Sequence, residues 1–163
     1  MNPIALYRRL DNLAAHCARL LEPLFALGVR AWVGWVFIKS GWLKFTSFEN
    51  TLYLFREEYH VPVLPPDVAA VVGTAGELGF GALVLAGVAG RFSALGLSAV
   101  NLMAVISYSH VLFADGFEAA LGQHVLWGFM LLVLIVYGPG RWSLDNLLAH
   151  WIAAPRQVSM HLA

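Results

Sequence analysis

The sequence predicts an all-α fold: a four-helix transmembrane bundle with amphipathic interfacial helices at the N-terminus, in the first outer loop and at the C-terminus. Three observations carry that reading. Of 163 residues, 60% are hydrophobic and only 12% charged, about half the charge that an aqueous surface uses. The mean hydropathy is +0.70, which suits hydrocarbon as the solvent. Four apolar stretches, each long enough to cross a bilayer at ~1.5 Å per residue, are separated by polar turns.

The elements follow in order, as one membrane domain over 1–163. Ile4, Leu6, Leu10, Leu13, Cys17 and Leu20 recur every three or four residues, with Arg8, Arg9, His16 and Arg19 mostly elsewhere around the wheel. This predicts an interfacial helix over 3–20 whose cations meet anionic headgroups. Asp11, Asn12, His16 and Arg19 interrupt the apolar run that a cleaved signal peptide would need. Pro23 suits the first turn of a new helix, so the first span is expected at 21–42. Thr46 and Glu49 have capping-box spacing. Phe48, Leu52, Phe55 and Tyr59 then form an apolar stripe opposite Arg56, Glu57 and Glu58, predicting a surface helix at 46–60. The Pro62 to Pro66 segment ends it.

The second span, 67–88, carries one interior charge, Glu77. Gly90 and Arg91 read as a tight turn. The third span, 92–114, has no Asp, Glu, Lys or Arg, and the fourth runs over 119–137. Ser143 can cap a last interfacial helix at 143–153, in which Trp142, Leu147, Leu148, Trp151 and Ile152 provide an apolar and aromatic face.

The charges restrict function. Net charge is zero with no basic stripe, which argues against nucleic acid as a partner. The single cysteine, Cys17, excludes an internal disulfide, a CxxC pair or an iron–sulfur site built by this chain alone. Arg8, Arg9, Arg19, Arg91, Arg141 and Arg156 fall on one side of the spans, while Lys39, Lys44 and Arg56 lie at or beyond the other. That bias predicts a bacterial-type inner-membrane location with both termini cytoplasmic. No Walker loop, HExxH or nucleophile elbow is present.

Two polar layers emerge when residues are placed by depth. Arg30, Glu77 and Asn101 each stand about halfway along their spans. A lone mid-membrane Arg costs ~2.5–3.5 kcal/mol, which an Arg30–Glu77 pair with Asn101 as third member would offset. Ala69, Gly73, Glu77 and Gly81, spaced by four, set the carboxylate on a small-residue seam. The layer reads either as a structural ion pair or as a proton-relay or ligand site. An outer-face layer gathers Lys39, Lys44, Tyr108, His110, Gln123 and His124. With His60, the histidines His110 and His124 are candidate ligands for a metal, copper or haem iron, although no HxxxH or HxxH spacing supports them. A polar-interface role fits the same residues.

The run Arg30-x3-Gly34-x2-Phe37-x3-Gly41-x2-Lys44, the Glu77-centred second span, the Gly87-x2-Gly90-Arg91 turn and Gly138-Pro139-Gly140-Arg141 together resemble the DoxX family, over roughly 24–148. The resemblance implies a small four-helix membrane protein. It implies little about function: the family is named after a subunit attributed to archaeal terminal quinol oxidase and thiosulfate:quinone oxidoreductase, and its members are not bound to that role. Trp35 to Trp42, the insert ending Tyr59-His60-Val61-Pro62, and Asn101 with Ile106-Ser107-Tyr108 resemble a bacterial subgroup often associated with gene clusters for modified copper-handling peptides. No family catalytic residue is transferable.

Two functions are expected from this. The first is a non-enzymatic inner-membrane accessory protein in envelope redox or copper stress handling. The second is a quinol-interacting oxidoreductase subunit with Arg30, Glu77 and Asn101 lining a quinone or proton site. Small-molecule or ion transport ranks below both, because the paired interrupted helices of repeat transporters are missing. The lipid bilayer is the expected partner, with a homo-oligomer or other membrane redox subunits as further ones.

Overall fold

The computed structural model describes residues 3–153. Arg156 and the side chain of Ile152 lie outside the described residues. The order is α1 (Pro3–Thr46), α2 (Phe48–Glu57), α3 (Pro66–Ala86), α4 (Gly90–Ser107), α5 (Ser109–Leu112), α6 (Glu118–Tyr137) and α7 (Leu144–Ala153), with no strand among the described residues. Helices α1, α3, α4 and α6 are long and apolar enough to cross a membrane, and their outer faces carry Trp32, Val71, Leu102 and Phe129 more than half exposed. The chain is a multi-pass helical membrane protein whose bundle surface meets lipid.

The first helix departs from the expected break. Segments 3–20 and 21–42 form one continuous helix with Pro23 inside it. Proline removes a single backbone donor, and the flanking run of Leu and Ala residues has enough helix propensity to continue past it. Residues 3–22 are exposed on every side, so this arm extends beyond the bundle.

The capping box is also absent. Because α1 runs through Thr46, that hydroxyl donates back to the Trp42 and Leu43 carbonyls (3.0 and 3.2 Å). Ser47 is the N-cap of α2, without a side-chain cap bond.

Helix α4 ends at Ser107, seven residues short of the expected 92–114 span. A tertiary contact explains the stop. The Ser107 carbonyl accepts the His60 amide (2.9 Å), and the Ser107 hydroxyl donates back to Met103 O (2.7 Å). Tyr108 then leaves helical geometry before α5. The turn before α4 begins earlier than expected, at Gly87, which stops α3 in the left-handed conformation (φ +70). Beside Gly87, Ser143 Oγ accepts the Asn146 amide (3.3 Å), the N-cap contact that Ser143 was expected to make for α7.

Around the bundle, α3 lies between α1 and α4, and α6 packs on α4 and touches α1 more lightly. The α1–α3 register is set by glycine. A Cβ on Gly34 would stand 2.9 Å from Gly81 O, and one on Gly81 would stand 3.2 Å from Gly34 O. The two backbones therefore touch, as small residues permit in lipid. One core joins Val29, Val33, Phe37, Val84, Leu97 and Leu131. A second, smaller core seats Phe55 of α2 on Ala69 and Ala70 of α3. At the exposed edge of that core, Arg56 forks onto Asp67 (2.6 and 2.8 Å).

Candidate intramembrane binding site

A cavity of about 580 Å³ opens between the two cores. Val36, Phe37, Phe80, Val100 and Trp127 form its apolar wall towards the larger core. Phe55, Tyr59, Val61 and Leu64, from α2 and the loop after it, close the other side. Its polar groups are few: Ser40, Lys44, Glu77, Ser107, Tyr59, Tyr108 and His124. That balance suits a lipophilic ligand with a small polar head, because apolar walls supply area and sparse polar groups fix orientation.

Glu77 is the focus. It is 6% exposed, and its Oε1 takes a 2.5 Å ion pair from Lys44 Nζ. Lys44 Nζ also reaches Ser40 Oγ (3.1 Å). The second carboxylate oxygen, Glu77 Oε2, is buried without a hydrogen-bond partner. Such an acceptor costs about 1–3 kcal/mol when left unsatisfied, and more for a charged group. A ligand donor placed against it would recover that loss.

The expected Arg30–Glu77–Asn101 layer is not assembled, and each member has another partner. Arg30, 2% exposed, donates from Nη2 to the Trp142 carbonyl (2.7 Å), while its Nε and Nη1 have no hydrogen-bond partner. It lies beside Gly87, at the α3–α4 turn. The glycine register explains the error: Gly41 faces Glu77 and Leu78, which puts Arg30 about 16 Å away along α1. Asn101 instead pairs with α6. Its Nδ2 donates to His124 O (3.0 Å), and its Oδ1 accepts from His124 Nδ1 (2.8 Å), the tautomer an amide oxygen requires.

The outer-face residues also divide. Lys44, Tyr108 and His124 line the cavity, whereas Lys39 and Gln123 are exposed. His60 and His110 bring their rings to 4.5 Å, but His124 packs on Trp127 and Asn101. The trio is thus split, and among the described residues no three His, Cys, Asp or Glu side chains converge as a metal site would need.

Two contributors were missing from the sequence reading, Phe55 and Tyr59 as cavity walls. Their helical stripe was visible, but not that it folds over the bundle. Tyr59 is half-buried. Burial, and then the nearby acidity of Tyr108, Glu58 and Glu77, pushes its phenol above the ordinary tyrosine range. It therefore remains a neutral O–H at physiological pH.

Comparison with known proteins gives the chain a family. It is 32% identical to an uncharacterized protein of Haemophilus influenzae over 126 residues, covering 74% of this chain and 80% of that protein. No solved structure matches the chain. Residues 25–110 match the DoxX family, a segment that holds Lys44, Tyr59, Glu77, Asn101 and Tyr108 and extends over more than half the sequence. The four-span bundle and that match lead to one conclusion: this chain belongs to the DoxX family.

Proposed function

We propose that the protein is a quinol-interacting membrane subunit whose cavity receives the head of a lipophilic quinol beside Lys44 and Glu77. The observation that carries this is an apolar intramembrane cavity containing a buried carboxylate oxygen with no partner. A quinol hydroxyl is the donor that Glu77 Oε2 needs, and Lys44 offers a donor to a carbonyl of the oxidised form. An apolar ring and tail fit between Phe37, Phe80 and Trp127. The reading as an accessory protein in copper handling has less support, because His60, His110 and His124 do not converge. We also infer an inner-membrane location with cytoplasmic termini, which rests on the Lys and Arg bias.

Trp127 lines the cavity, so its fluorescence can report binding. A short-tailed benzoquinol titrated into the detergent-purified protein should quench tryptophan emission saturably. Glu77→Gln and Lys44→Met should weaken binding about tenfold or more, a loss of ~1.4 kcal/mol, and Lys44→Met, which strands the buried carboxylate, should also lower the melting temperature. Equal affinity in all three proteins would overturn the assignment.

A further inference from the structure

The cavity is closed on most sides and open on one. Its walls from α1, α2 and α6 are buried or half-buried, Phe37, Phe55 and Trp127 among them. Four of its lining residues are exposed: Leu64 in the loop before α3, Val72 on α3, and Ala99 and Met103 on α4. A residue that lines a cavity and is also exposed stands at its mouth, so the mouth lies between α3 and α4. All four residues are apolar. The outward residues around them, Val68, Val71, Leu102 and Ile106, are exposed and apolar as well. Both helices are long and apolar enough to be spans, and a surface of this composition there faces hydrocarbon rather than water.

We propose that the cavity exchanges its ligand sideways with the bilayer, through a portal between α3 and α4 edged by Val72, Ala99 and Met103. The ligand this fits is an amphiphile dissolved in the membrane. Its compact polar head sits at Glu77 and Lys44, and its apolar tail passes Val72 and Met103 into lipid. Along α3, Val72 is five residues from Glu77, about 7.5 Å, so a head on the carboxylate puts the start of its tail in the portal. The tail then stays in hydrocarbon throughout, with no apolar surface shown to water. The quinol identity of the head rests on the proposed function; the portal does not.

Other routes are obstructed. Phe55, Tyr59 and Val61 cover the cavity from α2 and the loop after it, and Phe55 is seated on Ala69 and Ala70. Between α3 and α4 the gap narrows away from α2. There a Cβ on Gly76 would stand 2.9 Å from Val100 Cγ2, and one on Gly96 would run into the Phe80 ring. The opening is thus left on the α2 side of these contacts, beside Val72 and Met103. Ala99 keeps its edge wide, because its side chain is a single methyl group. Being exposed, that position has room for a larger side chain, which would narrow the portal without entering the core.

Thiol labelling in nanodiscs tests the portal with no quinol present. Val36 lines the cavity from α1, and Val36→Cys in a Cys17→Ser background places a single thiol there. An N-alkyl maleimide, itself a compact polar head on an apolar tail, should label that thiol about tenfold or more faster than a sulfonated maleimide confined to water, since each methylene favours the lipid. Ala99→Phe and, separately, Met103→Phe should slow the alkyl reagent about tenfold, because passage then meets an overpacked edge. Leu126→Phe, on an exposed residue of α6 that does not line the cavity, should leave the rate unchanged. Labelling no faster from lipid than from water would overturn the portal. So would an alkyl rate untouched by both edge variants, or slowed equally by Leu126→Phe. A failure to bind benzoquinol would overturn the quinol reading and leave the labelling result standing.

Discussion

Arg30 and Gly87 depend on each other. A Cβ at Gly87 would stand 2.1 Å from Arg30 Nη1 and 2.6 Å from Ser143 Cβ, at a residue with φ +70. Gly87→Ala should therefore cost about 2–4 kcal/mol through left-handed strain and overpacking, read as a lower melting temperature in detergent. Arg30→Ala removes the first obstacle, so the double variant should lose less than the sum of the single losses. Sequence reading identified the polar residues that matter, Arg30, Lys44, Glu77, Asn101 and His124, but paired them wrongly. Depth along each span says nothing about the stagger between spans. Here the stagger follows from Gly34 against Gly81, and it gives Glu77 to Lys44 and Arg30 to the Trp142 carbonyl.

Among the elements, the α1–α3 contact governs the cavity because those helices carry Lys44 and Glu77. Gly34→Ile would drive a branched side chain into Gly81 O and Leu85. It should cost about 1–3 kcal/mol and weaken benzoquinol binding as the helices part. Gly28, with nothing within 4 Å of its would-be Cβ, supplies the control: Gly28→Ala should keep or slightly raise the melting temperature. Helix existence was legible from hydropathy, since four long apolar runs in lipid have few alternatives to α-helix. Two ends were not. The stop at Ser107 depends on an amide arriving from His60, and α1 passes Pro23 without stopping. The first outcome depends on a residue outside the segment, and the second on flanking helix propensity outweighing one missing donor.

The whole molecule presents two unlike faces, an arm containing Cys17 on one side and the α2 cover on the other. Cys17 is exposed and is the sole cysteine, so orientation can be read directly. A membrane-impermeant thiol reagent should label Cys17 only when the cytoplasmic side is accessible. Glu58→Cys in a Cys17→Ser background should label only from the opposite side. The reverse pattern would invert the topology. The cavity itself was not legible in the sequence, because it exists only once α2 and the following loop fold back over α3, and a surface stripe does not announce what it will cover.

The Lys44–Glu77 ion pair has an electrical consequence. While both groups are charged they sum to zero, and a transmembrane voltage exerts no net force on the pair. Loss of either charge, as in Glu77→Gln or Lys44→Met, would leave a net charge within the membrane, where moving a full elementary charge across 100 mV is worth about 2.3 kcal/mol. The neutrality of the pair thus keeps the site out of the cell's electric field.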